Sequence, residues 1–440
     1  MTVQFEHDRI AQLLLEHDIG TDVDLARARL EGGQVQLSID AAAAATQWGQ
    51  AAALAIAATA SRMFRGGVFI GGLDPVPVIV GSHVGAPLMR ALEAAGCRSR
   101  NIPAKPYRLH IGSHPQSAAD LYLTVSGWRA HVAPYPAQSE GKGNVIAGAA
   151  AGALAVSEAF RRHILGDLLA GRQPLTLSLW DPAAPEIDPG DITRLPASLW
   201  LLGLGNLGQA TMFLLELLPF ADRRLTHLLV QDRDRVGEEN RLTQILTEPA
   251  WIGHRKARML GAYADRLGFE TRICERSFGA SSRPEDGEPR VALAGVDNLD
   301  ARRLAADGRF DLVIDAGLGS SAEEIFDLRL HAFPGRMTPQ TAWPDVTGPT
   351  EAALNPGLEK LVVEGRLPQC GALAIAGQSL GVPSTAVVAA ALQVGQLCRA
   401  LASGTYCDFV DLTLRNPKAV VATSAMLPDN VSLPSVMPRP

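Results

Sequence analysis

The fold is decided by the stretch Gly203-Leu204-Gly205-Asn206-Leu207-Gly208, a G-x-G-x-x-G pattern. It follows a short apolar run, Ser198 to Leu202, and precedes Gln209 to Leu218, whose apolar residues recur at helical spacing. In a turn from strand to helix, the first glycine allows a tight bend and the second lets a phosphate approach backbone N–H groups. The third lets the helix pack closely on the strand. This context predicts a nucleotide-binding turn, although a turn without a ligand can show the same pattern.

The remaining pattern after residue 197 alternates strands with helices. His227 to Val230 and Phe310 to Asp315 are predicted strands, whereas Arg255 to Leu267 and Val382 to Ala402 are predicted helices. Such alternation is typical of a parallel sheet with helices on both faces. The predicted fold class is therefore α/β, with a Rossmann-like, doubly wound and mostly parallel sheet.

Composition along the chain predicts four segments. Residues 1–172 mix helical and strand patterns and are expected to form an N-terminal α/β domain. Residues 173–196 are rich in Pro and Asp and are expected to be a linker. Residues 197–425 form the second α/β domain, and residues 426–440, with four prolines, are expected to be an irregular tail.

A weak internal repeat connects the two domains. The run Ala150 to Phe160 resembles Val387 to Leu397, and a short segment ending in glycine follows each of them. This similarity predicts two copies of one α/β plan, of which the first is degenerate and inactive. The alternative is that two alanine-rich helices simply look alike.

Overall composition excludes several classes of function. The 440 residues carry a net charge of -6, so we expect no nucleic-acid partner. The alanine-rich stretches Asp40 to Ala60 and Ile146 to Phe160 contain polar residues, and we expect buried helices and no membrane segment. The five cysteines contain no C-x-x-C pair, which predicts no zinc site and suits a cytoplasmic protein.

Charged and amide residues follow the second predicted strand. Asp232 ends this strand, where an acidic side chain can bind ribose hydroxyls. An amide, an arginine and a lysine then follow (Asn240, Arg241 and Lys256), and such groups suit a triphosphate better than a nicotinamide. Asp234 and Gln244 in the same stretch are further candidate binding residues. Farther along, Asp297, followed by Asn298, could meet magnesium or the α-phosphate. These residues predict ATP and Mg²⁺ as cofactors.

Together these motifs resemble the ThiF/MoeB/ubiquitin-activating-enzyme superfamily. Its pattern is G-x-G-x-x-G, then D-x-D-x-V with an Asn eight residues after the first Asp, then G-x-x-K, then D-N-x-x-x-R. The matching residues are Gly203 to Gly208, Asp232 to Val236, Asn240, Gly253 with Lys256, and Asp297-Asn298 with Arg302. The resemblance implies that residues 197–425 bind Mg-ATP and adenylate the C-terminal carboxylate of a ubiquitin-like or sulfur-carrier protein.

The resemblance also implies roles for single residues. Gly205 and Gly208 would line the nucleotide, Asp232 would hold the ribose, Lys256 and Asn240 the phosphates, and Asp297 the magnesium and α-phosphate. The family places an arginine three residues after the Asn, where this chain has Thr243, so Arg241 is the candidate catalytic substitute. Many relatives complete the site with an arginine from a second half or subunit, which the N-terminal block could supply.

Cys370 is the candidate catalytic thiol. It precedes a long predicted helix, as the reactive cysteine does in compact ubiquitin-like activating enzymes. A thiolate there could attack the acyl-adenylate and form a thioester. The alternative is a small buried cysteine with a structural role.

The leading hypothesis is an activating enzyme that adenylates a ubiquitin-like protein and transfers it to Cys370. The resemblance implies a conjugating enzyme as a further partner and a homodimer, and it makes bacterial antiviral defence a hypothesis for the pathway. One alternative stops at adenylation of a sulfur carrier or peptide. Another is a nucleotide-binding scaffold without catalysis. An NAD dehydrogenase ranks last because the sequence offers no clear acid for hydride chemistry.

Overall fold

The computed structural model describes residues 9–16, 23–71, 73, 75–115, 117–138, 142–319, 321–344, 356–364 and 381–439. These residues form two large β-sheets and one short two-stranded pair. The α-helices are α1 (Arg9–Glu16), α2 (Val23–Gly32), α3 (Ala41–Ala44), α4 (Gln47–Met63), α5 (Leu88–Ala94), α6 (Val145–His163), α7 (Asn206–Leu217), α8 (Lys256–Leu267), α9 (Leu299–Ala306), α10 (Pro339–Ala342), α11 (Pro356–Val363) and α12 (Pro383–Ser403).

The first sheet belongs to the N-terminal half of the chain. Its strands are β1 (Gln34–Ile39), β2 (Gly67–Ile70), β3 (Cys97–Arg98), β4 (Tyr107–Ile111), β5 (Leu121–Ser126), β6 (Arg129–Ala133) and β7 (Leu175–Ser178). Their order in the sheet is β3-β2-β1-β4-β5-β6-β7. Strands β1 to β5 pair in parallel, and β6 and β7 are added antiparallel. Strand β2 is buried along its whole length, as expected for a strand of a parallel sheet that is covered on both faces.

The second sheet belongs to the C-terminal half. Its strands are β9 (Ser198–Leu202), β10 (His227–Gln231), β11 (Glu270–Cys274), β12 (Val291–Ala294), β13 (Leu312–Leu318), β14 (Asp327–Phe333), β15 (Thr405–Thr413) and β16 (Val421–Met426). Their order is β11-β10-β9-β12-β13-β14-β15-β16. Strands β9 to β13 are parallel, and the last three are antiparallel. This order confirms the predicted Rossmann-like, mostly parallel α/β fold class.

The two halves repeat one plan. In each sheet the third strand forms one edge and the first strand lies centrally, beside the fourth. Helices α4 and α7 follow the first strand of their sheets, and α6 and α12 precede the seventh. The weak repeat seen in the sequence falls on α6 and α12, which occupy equivalent places.

Alanine-rich helices join the two halves. Helix α6 packs against α4 on one side and α12 on the other, and α12 packs against α7. A Cβ atom on Gly148 or Gly152 of α6 would overlap the backbone of α4, so glycine is what permits this close approach. Between the halves, Ser157 Oγ donates a hydrogen bond to Ser384 Oγ over 2.9 Å. The predicted buried helices within residues 40–60 and 146–160 are confirmed by α4 and α6.

Helix α12 is long and apolar enough to cross a membrane when judged by length and composition alone. However, 89% of its most apolar stretch is buried inside the protein. Its polar side chains also have partners there, because Gln393 Nε2 donates to the carbonyls of Ala294, at 2.9 Å, and Ile314, at 2.7 Å. Helix α12 therefore packs as the central helix of the core.

Two predicted boundaries need correction. The predicted linker at residues 173–196 contains β7, which is an edge strand of the first sheet. The predicted irregular tail at 426–440 contains β17 (Ser435–Val436), which pairs with β8 (Leu195–Pro196). Both strands are two to four residues long and lie among prolines, so their apolar periodicity is too short to read.

Candidate active site

A cleft of about 990 Å³ opens at the carboxyl ends of strands β9, β10, β12 and β13. Ligands of open α/β sheets bind at this edge, where the strand order reverses. Most of the binding residues predicted from the sequence line the cleft, namely Gly203, Gly205, Asn206, Asp232, Asp234, Asn240, Gln244, Lys256, Asp297 and Asn298. Gly208 and Arg241 do not line it.

The glycines of the turn have three different environments. Gly203 has a positive φ of 80°, and a Cβ atom there would lie 2.8 Å from the Gly295 carbonyl oxygen. Gly205 faces open space, because a Cβ atom there would have only Gln244 Nε2 nearby, at 4.0 Å. A Cβ atom on Gly208 would overlap the Gly203 carbonyl oxygen. Gly208 thus permits packing of α7, and its predicted place in the nucleotide lining is corrected.

Asn206 begins α7, and its side chain lines the cleft beside Gly381. Its Oδ1 and Nδ2 atoms are both buried and have no hydrogen-bond partner in the described part of the chain. Buried polar groups are nearly always satisfied, so such an amide calls for a ligand. Because Asn206 lies at a helix N-terminus, whose N–H groups favour anions, its place fits a phosphate-bearing ligand.

Asp232 holds the glycine turn after β9 in place through its carboxylate. Its Oδ2 accepts a hydrogen bond from Leu204 N and its Oδ1 accepts one from Asp234 N, each over 2.7 Å. Each carboxylate oxygen has a second lone pair that can accept a ribose hydroxyl. The structure is therefore compatible with the predicted ribose role.

Lys256 is the buried cation of the cleft. It begins α8, only 11% of its side chain is exposed, and its Nζ lies 3.4 Å from Asp234 Oδ2. Its backbone N–H also donates to the Asp234 carbonyl. Since Asp234 is itself half exposed at the cleft, this pair holds the ammonium group where a phosphate could meet it.

A loop after β10 brings amide side chains to the cleft. Asn240 is buried, and its Oδ1 accepts a hydrogen bond from Gly237 N over 2.9 Å. Gln244 Oε1 accepts one from Gln209 Nε2 over 2.7 Å. Thr243, where the resembled family has an arginine, also lines the cleft and is buried. The sequence predicted Asn240 and Gln244, whereas Gln209 is the supporting residue that it missed.

Asp297 and Asn298 lie on the turn between β12 and α9. Asp297 is exposed to the cleft, as a ligand of a nucleotide-bound cation would have to be. Asn298 caps α9, because its Oδ1 accepts a hydrogen bond from Ala301 N over 3.0 Å. In the part of the chain that is described, no group of three His, Cys, Asp or Glu side chains is arranged to hold a metal ion. A single carboxylate suits Mg²⁺ that arrives with substrate phosphates.

Arg241 does not enter the cleft. Its side chain is 44% exposed, and its Nη1 lies 3.2 Å from Glu238 Oε2. The predicted catalytic position is thus corrected to a surface ion pair. The reason is local, since residues 238–242 form a short 3₁₀ helix that turns Asn240 inward and Arg241 outward.

Arg302, the arginine of the D-N-x-x-x-R pattern, lies beside Asp315, whose importance the sequence did not reveal. Arg302 lines the cleft, donates from Nε to the Val296 carbonyl over 2.6 Å, and approaches Asp315 Oδ1 at 3.6 Å. Asp315 is fully buried, and neither carboxylate oxygen has a hydrogen-bond partner in the described chain. Burial raises its pKa to about 7, although Arg302 opposes this shift. His331 lies opposite on β14, and burial lowers its pKa to about 4.

A second group of missed residues follows β11. Arg276 and Phe278 line the cleft, and Phe278 packs against Trp200 and Phe310. They come directly after a parallel strand, so the rule that sites form at carboxyl ends could have found them.

The equivalent position in the first half is closed. Where the second half has Gly203 after its first strand, the first half has Asp40 after β1. The Asp40 carboxylate accepts hydrogen bonds from Ala43 N, at 2.7 Å, Ser113 N, at 2.9 Å, and His114 N, at 3.0 Å. The backbone groups that would bind a phosphate are thereby occupied by the protein's own anion.

Cys370 lies outside the described residues. Of the described cysteines, Cys97, Cys398 and Cys407 are buried, and burial raises the pKa of each thiol, to about 12, 12 and 11 respectively. A thiol with so high a pKa is a poor nucleophile at neutral pH. Cys274 is half buried at the end of β11.

Comparison with known proteins places the chain in one family. The family models for the BilD N-terminal domain and the BilD C-terminal domain match residues 34–179 and 195–404. The bacterial E1-like protein BilD of Collimonas sp. (strain OK412) is 32% identical over 375 residues, which cover 82% of this chain and 81% of that protein.

Solved structures of MccB from E. coli are also similar. One has 13% sequence identity and a TM-score of 0.33, and the match covers 52% of this chain and 62% of that chain. A structure of MccB with ATP has 13% identity and a TM-score of 0.32, over 54% of this chain and 65% of that one. The chain thus spans less than two thirds of the length of these MccB chains.

Proposed function

This chain belongs to the family of bacterial E1-like BilD proteins, and we propose that it adenylates the C-terminal carboxylate of a ubiquitin-like protein with ATP. One observation carries the proposal. An open glycine turn, the unpaired Asn206 amide and the buried Lys256 ammonium converge in one cleft. Each of these groups is suited to hold phosphate. In the first half of the chain, Asp40 occupies the equivalent position.

The proposed reaction needs alignment and charge stabilisation. A carboxylate oxygen of the partner attacks the α-phosphorus, the bond from that phosphorus to the bridging oxygen breaks, and pyrophosphate leaves with the bonding electrons. Lys256 and the N–H groups at the start of α7 would stabilise the charge on the phosphates. Asp297 would hold Mg²⁺, whose chemistry when bound is to neutralise part of the triphosphate charge.

A second step, transfer of the activated carboxyl group to a thiol, is part of the proposal. The Cys370 thiolate attacks the carbonyl carbon of the adenylate, AMP leaves, and a thioester forms. The buried described cysteines do not compete, because burial raises the pKa values of Cys97, Cys398 and Cys407. A conjugating enzyme would then receive the carrier.

Other features of the proposal concern the surroundings of the enzyme. We expect a homodimer in the cytoplasm, and conjugation within bacterial antiviral defence. Light scattering of the purified protein tests the homodimer, and the proteins encoded beside its gene are the candidate carriers and conjugating enzymes.

Pyrophosphate exchange into ATP tests the adenylation step. We expect exchange only when Mg²⁺ and a carrier ending in a free glycine carboxylate are both present. Lys256→Met should reduce exchange roughly 100-fold, whereas Arg90→Met, an exposed change on α5, should leave it unchanged. Absence of exchange with every candidate carrier would contradict the proposal.

Cys370→Ser tests the thioester step separately. Exchange should persist, while the thiol-reducible adduct between enzyme and carrier should disappear. An adduct that survives the substitution would exclude Cys370, and absence of any adduct in the wild type would favour adenylation alone.

A further inference from the structure

One arginine of the first half reaches the active half. Arg62 lies in the last turn of α4, and its guanidinium donates to three backbone carbonyls of the loop after β10. Nη1 donates to the Arg241 carbonyl over 2.7 Å, and Nη2 donates to those of Ile245, at 3.3 Å, and Thr247, at 3.1 Å. A single side chain thus ties together seven consecutive residues on the other side of the junction between the halves.

The position of Arg62 is not that of an ordinary surface arginine. Burial lowers the pKa of Arg62, with a smaller effect in the same direction from Arg241, while Glu248 opposes it. A buried guanidinium is unfavourable unless its N–H groups are paired. The three loop carbonyls pair Nη1 and Nη2, whereas the buried Nε has no hydrogen-bond partner in the described residues. The position of the arginine therefore depends on the loop conformation, and the loop conformation depends on the arginine.

The loop held by Arg62 carries part of the cleft. Asn240, Thr243 and Gln244 line the cleft from this segment. On the inner side, the buried Gln209 Oε1 accepts a hydrogen bond from Leu246 N over 3.0 Å. The loop is therefore fixed by Gln209 from within its own half and by Arg62 from the other half.

We propose that Arg62 is a positioning residue for the nucleotide-binding loop, so that the first half supports the reaction without binding nucleotide itself. This inference rests on the proposed function of the cleft. Arg62 is not among the described residues that line the cleft, so it acts through the backbone of residues 241–247. Removal of the Arg62 side chain should displace Asn240 and Gln244. It should therefore weaken nucleotide binding more than it slows the adenylation step.

The test compares Arg62→Met and Arg62→Lys with the wild type and with the control Arg90→Met. Binding of Mg-ATP is measured by calorimetry, and KM and kcat for ATP are measured by pyrophosphate exchange. For Arg62→Met we expect kcat/KM for ATP to fall roughly 10- to 100-fold, mainly through KM, because small displacements of binding groups are costly. Arg62→Lys should be intermediate, since an ammonium cannot span the three carbonyls.

A purely structural role predicts another pattern. In that case Arg62→Met would lower the thermal unfolding midpoint, while the folded protein would bind Mg-ATP with the wild-type Kd. Unchanged binding in Arg62→Met overturns the inference. If Arg62→Met does not fold, Arg62→Lys decides, and an unchanged KM in that variant overturns it. Failure of the wild type to bind Mg-ATP would instead refute the proposed function of the cleft.

Discussion

Replacing Asp315 with asparagine isolates the energetic effect of one buried carboxyl group. Asp315 is 1% exposed, and its oxygens have no hydrogen-bond partner in the described structure. The cation beside it is Arg302, whose Nε lies 3.6 Å from Asp315 Oδ1. Burial raises the pKa of Asp315 from 3.8 to about 7, and Arg302 offsets only part of this shift.

The sign of the effect follows from proton binding. Between pH 3.8 and about 7 the folded protein keeps a proton on Asp315 that the unfolded chain has released. The unfolded state therefore binds fewer protons, and the free energy of unfolding falls as the pH rises through this window. At 1.36 kcal/mol for each pKa unit, a shift of about three units corresponds to roughly 4 kcal/mol.

Asparagine has almost the same shape as aspartate and carries no charge. Asp315→Asn should therefore lack the fall in the free energy of unfolding that deprotonation of Asp315 causes in the wild type. The difference in unfolding free energy, variant minus wild type, should rise by up to roughly 4 kcal/mol between pH 4 and pH 7 and then level off. Urea unfolding at a series of pH values measures it. Titration of His331 enters both proteins and largely cancels in the difference.

The matched control is Asp286→Asn, because Asp286 is exposed in a loop. A charge that stays in water in both states should leave the difference independent of pH. The reasoning is refuted if the curves of wild type and Asp315→Asn run parallel from pH 4 to pH 8.

Three further substitutions test the assignments. Lys256→Met removes the buried cation beside Asp234, and should reduce pyrophosphate exchange roughly 100-fold and abolish the rise in melting temperature caused by ATP. Arg241→Ala removes only an exposed ion pair worth about 1 kcal/mol or less, so exchange should be unchanged; a loss like that of Lys256→Met would restore its predicted catalytic role. Asp40→Ala leaves backbone N–H groups without an acceptor and should lower the free energy of unfolding by about 1–3 kcal/mol in urea titrations, without changing the amount of ATP bound.

Local signals explain what the sequence could predict. The glycine turn and the residues that end parallel strands are short patterns, and a parallel sheet brings strand ends to one edge. Asp232, Lys256 and Asp297 could therefore be placed at one site before their contacts were known. The repeat of α6 and α12 was visible for a similar reason, since buried helices at equivalent places keep a similar composition.

Roles that depend on tertiary partners could not be predicted. Asp315 ends the apolar run Phe310 to Asp315 that the sequence shows, but it lies in the middle of β13 (Leu312–Leu318). Only the packed structure shows that its carboxylate has no donor. Arg62 looks like a solvated residue at the end of a helix until the second half supplies three carbonyls. The sequence could not show which way Arg241 points, because a shift of one residue on a 3₁₀ turn reverses the direction of a side chain; the structure places Arg241 beside Glu238 at the surface.

The repeated plan makes it possible to compare the same position in the two halves of the chain. After the first strand, Gly203 and Gly205 leave the N-terminus of α7 open, whereas the Asp40 carboxylate caps α3 and also accepts a hydrogen bond from Ser113 N. The two positions share one topology, so the proposed difference in nucleotide binding between the halves would arise from the side chain rather than from the fold. In the first half, the Asp40 carboxylate occupies the place where a bound anion would lie. Under the proposed function, this half therefore contributes to the cleft through its packing helices and through Arg62.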